Sequence, residues 1–175
     1  MNQTVVLGGG CFWCTEAVFE DLKGVVSVMP GYAGGSSPNP SYHSIHGGKT
    51  GHAEVIEVTF DPSIITFHDL LTVFFALHDP TTLNRQGADV GSEYRSTVLF
   101  TTEAQRTETE AFIVELNQTG PKVVTEVKPL EKFYPAEEEH RQFYKKNTAA
   151  GYCQVVINPK MEKLKKRFNE LLKTE

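Results

Sequence analysis

The order of strand-type and helix-type segments is the feature that most restricts how this chain can fold. Apolar periodicity and capping residues predict strand, helix, strand, strand, helix and strand in succession, at residues 4–7, 13–22, 25–29, 53–60, 66–77 and 94–100. This order is that of the ferredoxin-like split βαβ unit, in which helices cover one face of a sheet. We therefore predict an α+β fold, a ferredoxin-like two-layer α/β sandwich with a βαββαβ core.

The segments outside this core are predicted to add two long loops, a strand and further helices to a single domain. A chain of 175 residues is long enough for a single buried core, and no internal repeat or linker composition divides residues 1–175. Two segments without periodicity, residues 31–51 and 79–91, predict long loops of the kind that often carry function. An extra strand and further helices are predicted at residues 123–127, 102–117, 137–147 and 160–172.

Composition and charge exclude several function classes. The net charge is −5, whereas proteins that bind nucleic acid usually present a basic surface. The most apolar stretch, residues 70–77, is too short to cross a bilayer, and residues 1–4 lack the pattern of a secretion signal. Three cysteines, an odd number, fit a reducing compartment. We therefore expect a cytoplasmic protein without membrane or nucleic-acid partners.

Cys11 is the first residue with chemical significance. It follows three glycines at the end of the first strand and stands where a helix begins. Unpaired N–H groups and the positive end of the helix dipole favour a thiolate there, and the thiolate is the nucleophilic form. Phe12 and Trp13 beside it predict an apolar wall for a small substrate. The pattern therefore predicts a reactive cysteine.

Cys11 and Cys14 also form a C-x-x-C pair, which leaves three interpretations open. The pair is compatible with a thiol–disulfide redox couple, with half of a zinc site completed by His43 and His46, or with a nucleophile and a chance neighbour. Two bulky aromatic residues between the cysteines are unusual for a structural zinc site and for a thioredoxin-like motif.

Glu54 is a candidate acid at the start of the third strand, next to the first long loop. Partial burial beside Val55 and Ile56 would raise its pKa and keep it protonated at neutral pH. The alternative, an ordinary outward-facing glutamate, is the more common arrangement for that residue type.

Three further positions carry weaker signals. Glycines on both sides of Asp89 allow a tight turn that brings its carboxylate near Tyr94, although a simple turn explains the same pattern. Tyr42 is by itself an ordinary loop aromatic. Cys153, in the Gly-Tyr-Cys sequence at residues 151–153, is either a buried structural cysteine or a partner for a reactive thiol.

Four motifs taken together, at residues 10–16, 51–54, 86–96 and 151–153, closely resemble those of the peptide methionine sulfoxide reductase A family. The resemblance extends over nearly the whole chain, in the family's order and spacing. It implies a single catalytic domain that reduces methionine S-sulfoxide, free or in peptides and proteins. We also expect a monomer that needs no cofactor or metal.

The resemblance also implies roles for individual residues. Cys11 would attack the sulfoxide sulfur, and Phe12 and Trp13 would line the pocket for the substrate's methyl group. Glu54 would give a proton to the sulfoxide oxygen. Three more residues would surround that oxygen or the polar side of the site, namely Tyr42, Tyr94 and Asp89. Cys153 would then attack the Cys11 sulfenic acid, and thioredoxin would reduce the resulting disulfide.

The chain departs from the family pattern at two positions. Cys14 stands where many members have glycine, so it is an alternative resolving thiol. His46 stands where some members have a further cysteine, and we predict no role for it. The alternative functions that remain are a thiol–disulfide oxidoreductase using Cys11 and Cys14, and a zinc-binding module.

Overall fold

A six-stranded sheet forms the centre of the protein, as seen in a computed structural model that describes residues 1–174. Its strands in chain order are β1 (Gln3–Gly8), β2 (Val25–Ala33), β3 (Ala53–Phe60), β6 (Thr97–Phe100), β7 (Glu126–Pro129) and β8 (Phe133–Pro135). A separate hairpin joins β4 (Arg85–Gln86) and β5 (Asp89–Val90). The spatial order is β7-β6-β1-β3-β2-β8.

The four inner strands confirm the predicted fold class. Strands β6, β1, β3 and β2 are neighbours in that order and all pair antiparallel, as the βαββαβ core requires. Strand β7 extends the sheet in parallel with β6, and β8 adds to the other edge against β2. The core is therefore extended by two strands in the main sheet, where the sequence predicted one.

Helices cover mainly one face of this sheet. They are α1 (Phe12–Glu20), α2 (Tyr42–Ile45), α3 (Phe67–Leu77), α4 (Glu103–Thr119), α5 (Phe143–Lys146) and α6 (Asn158–Phe168). Alternation along β1 sends Val5 and Leu7 into the main core with α1, α3 and α6, while Val6 joins a smaller cluster on the opposite face. Burial of each such side chain contributes about 1.5–3 kcal/mol.

Capping residues fix the helix starts as the sequence predicts. The Thr66 hydroxyl accepts a hydrogen bond from Asp69 N, and the Asp69 carboxylate accepts one from Thr66 N, which completes a capping box on α3. The Thr102 hydroxyl likewise accepts from Gln105 N at the start of α4. Strand β3 has the predicted bounds.

The C-terminal third differs most from prediction. The helix predicted at residues 137–147 is wrong: a 3-10 turn (Glu138–His140) is followed by the four-residue α5, because Gln142 adopts the left-handed conformation (φ 54°) and interrupts the helix. The strand predicted at 94–100 begins only at Thr97, after a 3-10 turn (Ser92–Tyr94). Helix α6 is preceded by a π-helical turn (Cys153–Ile157). No helix within residues 1–174 is long and apolar enough to cross a membrane.

Candidate active site

Cys11 occupies the N-cap of α1, immediately after β1 and a glycine turn. Gly10 makes that turn with a left-handed φ of 95°, and a Cβ there would come within 2.7 Å of the Gln86 side chain. The Cys11 carbonyl accepts a hydrogen bond from Cys14 N at 3.1 Å, which begins the helix. The thiol is therefore fixed between the sheet and the second long loop, and Cys11 is only 7 % exposed.

Glu54 lies on β3 with its carboxyl group directed at the start of α1. It is 1 % exposed, so it is not the outward-facing glutamate that we considered as the alternative. Its Oε1 atom accepts a hydrogen bond from Phe12 N at 3.1 Å, and Oε2 lies 3.0 Å from His46 Nε2. Burial raises the pKa of Glu54, and the contacts with His46 and Phe12 N reduce that rise. The carboxyl group is thus adjacent to the residue that follows Cys11.

The protonation of Cys11 corrects the expectation from sequence. Burial, followed by the charges of Glu54 and Cys14, raises the pKa of the Cys11 thiol well above its usual value. The Trp13 N–H and the Tyr152 hydroxyl oppose this effect but do not outweigh it. A helix terminus therefore does not make this cysteine a thiolate by itself, because desolvation costs more than the first turn of α1 contributes.

The two long loops bring the predicted tyrosines and Asp89 to the same place. Tyr94 Oη lies 3.1 Å from His46 Nε2, and the Tyr42 ring packs against Phe12 with ring centroids 6.1 Å apart. Burial raises the pKa values of Tyr42 and Tyr94, so both phenols keep their protons and can donate hydrogen bonds. Asp89 accepts a hydrogen bond from the Tyr152 hydroxyl at 2.9 Å.

Aromatic residues form one wall of the site. Trp13 is half-buried and stacks on Phe143, with ring centroids 3.7 Å apart and planes 7° from parallel. Its indole N–H donates to His140 Nδ1 at 3.2 Å. Phe12 is fully buried behind it. Phe12 and Trp13 thus belong to an aromatic cluster, to which α5 contributes Phe143 and the turn before it contributes His140.

All three cysteines belong to the main hydrophobic core. Within residues 1–174 all three are free and buried. Burial is the main reason why the pKa values of both Cys11 and Cys14 are raised. The Cys14 thiol also donates a long hydrogen bond of 3.9 Å to the Tyr152 hydroxyl. Cys153 itself is 0 % exposed, in the π-helical turn.

The zinc interpretation of the C-x-x-C pair is not supported. Among residues 1–174, no group of three or more histidine, cysteine, aspartate or glutamate side chains is arranged to hold a metal ion. His46 instead contacts Glu54 and Tyr94, and His43 is exposed on the short helix α2.

Sequence reasoning missed four residues that build the site. His46 contacts two predicted site residues, and Tyr152 contacts Asp89 and Cys14. Glu137 accepts hydrogen bonds from the Tyr32 hydroxyl at 2.7 Å and from Tyr42 N at 3.0 Å. His140 was the fourth. The Gly-Tyr-Cys motif was a signal for Tyr152, and His46 was noted only as a zinc candidate and a departure from the family pattern. No local pattern marked Glu137 or His140.

A buried thiol and a buried carboxyl group, surrounded by phenols and an aromatic wall, define a thiol-dependent enzyme on a ferredoxin-like core. The family model described as peptide methionine sulfoxide reductase matches residues 3–172. Peptide methionine sulfoxide reductase MsrA of Sulfolobus acidocaldarius is 54 % identical over 167 residues, 95 % of each chain. The chain therefore belongs to the peptide methionine sulfoxide reductase family, and it is an enzyme.

Solved structures agree with this assignment. Reduced Mxr1 from Saccharomyces cerevisiae is similar with a TM-score of 0.79 at 35 % identity, covering 87 % of this chain and 89 % of that one. Mxr1 in complex with Trx2 is similar with a TM-score of 0.56 at 26 % identity, covering 81 % and 84 %.

Proposed function

We propose that this protein reduces the S epimer of methionine sulfoxide, free and in peptides, with Cys11 as nucleophile and Glu54 as acid. The observation that carries the proposal is the burial of the Glu54 carboxyl group against Phe12 N, beside the thiol. A sulfoxide oxygen leaves only once it is protonated, so the nucleophile needs a proton donor within reach. Positioned acid catalysis contributes on the order of 10²–10⁴-fold.

The chemistry transfers one oxygen atom and conserves protons. Cys11 attacks the sulfoxide sulfur, and by the end of the step the sulfoxide S–O bond is broken and the oxygen is bonded to the Cys11 sulfur. The substrate sulfur is thereby reduced by two electrons and Cys11 is oxidised by two. Glu54 gives a proton to the oxygen, and the proton lost by the Cys11 thiol restores it. The products are methionine and a Cys11 sulfenic acid.

The surrounding side chains suit this substrate. The Trp13 ring with Phe12 behind it offers an apolar surface to the methyl group. Tyr42 and Tyr94 keep their protons and are donors for the sulfoxide oxygen. Asp89, held by the Tyr152 hydroxyl, orients the polar side of the site.

Recycling forms a disulfide with the sulfenic acid, and we assign the second thiol to Cys153 with Cys14 as the alternative. Cys153 lies buried in the π-helical turn of a different segment, whereas Cys14 is one helical turn from Cys11. Each reaction releases water and leaves one disulfide. The yeast relative was solved with Trx2, a thioredoxin, which supports thioredoxin as the reductant here.

We further propose that the enzyme works as a cytoplasmic monomer without a cofactor. Three free thiols suit a reducing compartment. The reaction itself needs only thiols and proton donors.

Turnover of the two epimers of a blocked methionine sulfoxide, with dithiothreitol as reductant, tests the proposed function. We expect the S epimer alone to be reduced, Cys11→Ser to be inactive, and Glu54→Gln to be slowed by about 10²-fold or more with an intact fold. Unchanged rates in Glu54→Gln would remove Glu54 from the reaction.

Mass mapping of the disulfide after one turnover distinguishes the two resolving thiols. A Cys11–Cys153 bond is expected, with Cys153→Ser limited to one turnover when thioredoxin is the reductant. Full thioredoxin-driven activity in Cys153→Ser would assign the step to Cys14 instead.

A further inference from the structure

His46 contacts the site at three points, although the function described so far gives it no task. Its Nε2 atom lies 3.0 Å from Glu54 Oε2 and 3.1 Å from Tyr94 Oη, and its Nδ1 atom lies 2.6 Å from the Tyr42 carbonyl oxygen. It ends the short helix α2, whose start is fixed by a capping box between Ser41 and Ser44. His46 therefore links Glu54 to both tyrosines assigned to the sulfoxide oxygen.

The partners of His46 determine where its protons are. A carbonyl oxygen only accepts hydrogen bonds, so Nδ1 must donate to Tyr42 O. Nε2 is then bare in the neutral ring and protonated in the imidazolium form. A hydrogen bond with Glu54 Oε2 requires one proton between these two atoms, either on the carboxyl group or on the ring.

The contact of the other Glu54 oxygen, Oε1, indicates which of the two oxygens carries the acid proton. Oε1 already accepts from Phe12 N, which leaves Oε2 as the oxygen that carries the acid proton. The acid proton of this site is therefore held in the contact between Glu54 and His46.

We propose that His46 is a positioning residue for the reduction step: it orients the Glu54 carboxyl group and the Tyr94 hydroxyl, and it shares one proton with Glu54. The shared proton passes to the sulfoxide oxygen, and the proton of the Cys11 thiol replaces it as the Cys11 S–O bond forms. The pair then returns to its starting state with no net gain or loss of protons. This inference rests on the proposed role of Glu54.

Electrostatics are consistent with a shared proton. The hydrogen bond with Glu54 raises the pKa of His46, and burial raises the pKa of Glu54. Both shifts favour the state in which the pair holds a proton. Such a pair loses protons in two steps that belong to both residues together. The titratable groups that also face the pair are Tyr32, Tyr42, Tyr94, Glu93, Asp89 and Cys11.

The pH dependence of a single turnover provides the test. Reduced enzyme is mixed with one equivalent of blocked methionine sulfoxide, without other reductant, and methionine formation is followed from pH 5 to 10. In His46→Gln we expect the rate at the optimum to fall about tenfold, a part of the total effect of acid catalysis. The loss of activity at high pH should move to lower pH. In the unaltered enzyme the ring and the carboxyl group together hold the last proton of the pair, whereas in His46→Gln the Glu54 carboxyl group has to hold it alone.

Chemical rescue adds a second measurement that a purely structural role would not affect. The His46 side chain is 29 % exposed, so the space left in His46→Ala is open to added imidazole. We expect imidazole to restore the rate several-fold. The control is His43→Gln, on the same helix but without the contacts that His46 makes with Glu54 and Tyr94, which should match the unaltered enzyme in rate and pH profile.

Three outcomes would overturn the inference. The first is an unchanged rate and pH profile in His46→Gln, and the second is a slowed rate with an unmoved profile and no rescue by imidazole. Both leave the role of Glu54 intact if Glu54→Gln is slow. The third, full activity in Glu54→Gln, would reject the role of Glu54 and the shared proton together. Thermal unfolding of each variant identifies any loss of fold.

Discussion

The Glu16 carboxylate on α1 accepts a hydrogen bond from the backbone N–H of Gln142 at 2.9 Å, across 126 residues of sequence. Gln142 is the left-handed residue just before α5, and its own side chain does not cap that helix. Glu16 therefore caps α5 from another helix. Because Trp13 lies one turn earlier on α1 and stacks on Phe143, two residues of α1 hold the aromatic wall together.

The buried Glu16 carboxyl group should make the stability of the folded protein depend on pH. Burial raises its pKa to about 7 from 4.5, and Oε2 has no hydrogen-bond partner among the described residues. The folded state favours the protonated form, so this contribution is complete below pH 4.5 and is lost as the pH rises to 7. Glu16→Gln should remove about 1–2 kcal/mol of that change, since each pKa unit corresponds to about 1.4 kcal/mol and solvent screening reduces the total.

Urea unfolding at several pH values between 4 and 8 measures this effect. Glu115→Gln is the matched control, because Glu115 is exposed on α4. Equal pH dependence in Glu16→Gln and the unaltered protein would contradict the prediction.

His78 should make the stability of the folded protein depend on pH in the opposite direction. It is buried at the end of α3, where Nδ1 donates to Phe74 O and Nε2 accepts from the Ser96 hydroxyl, and burial lowers its pKa to about 4. Its contribution is complete above pH 6.5 and is lost as the pH falls to 4. His78→Asn should abolish up to about 3 kcal/mol of this acid sensitivity.

Acid unfolding followed by circular dichroism provides the measurement for His78. His68→Asn, an exposed change on the same helix, serves as control. The prediction is wrong if both variants lose stability with acid to the same extent as the unaltered protein.

Phe143 predicts a specific effect on substrate binding. Phe143→Ala removes the ring stacked on Trp13 at 3.7 Å, which should raise KM several-fold and change kcat little, because no reacting group is removed. The loss of a half-buried aromatic contact should also cost about 1–3 kcal/mol of stability. Phe143→Leu should recover most of the stability but not the KM. A kcat reduced as strongly as in Glu54→Gln would argue against a role in binding alone.

The Tyr152 hydroxyl should increase the reactivity of the Cys11 thiol. Its hydroxyl opposes the rise in the pKa of the Cys11 thiol, so Tyr152→Phe should move the pH dependence of Cys11 alkylation to higher pH. Turnover at neutral pH should fall by about tenfold, as expected for loss of the hydrogen bond that the Tyr152 hydroxyl donates to the Asp89 carboxylate. Rates of iodoacetamide labelling between pH 6 and 11 measure the shift. Tyr134→Phe, on the edge strand β8, should label like the unaltered protein.

Local patterns were sufficient to predict the core of the fold. Strand β3 and the capped helix α3 have their signals within their own sequence, in alternating apolar residues and in Thr66 with Asp69. The motif around Cys11 likewise predicted a functional cysteine, whereas for Glu54 the residues alone favoured an outward-facing glutamate and only the family resemblance predicted an acid.

Properties that depend on distant contacts were not readable. The pKa of Cys11 rises because the folded chain removes it from water, which no motif records. The role of His46 depends on where two loops meet, and the break at Gln142 depends on a carboxylate from α1. These contacts form only in the complete fold, so propensity alone predicted a longer helix at residues 137–147.

The aromatic wall also has a consequence for synthesis of the protein on the ribosome. Cys11, Glu54 and both loops are made early, but His140, Phe143 and Tyr152 come from the last quarter of the chain. A nascent polypeptide thus carries Cys11 well before the residues that shelter it. The aromatic side of the site is completed only once residues 140–152 have been synthesised.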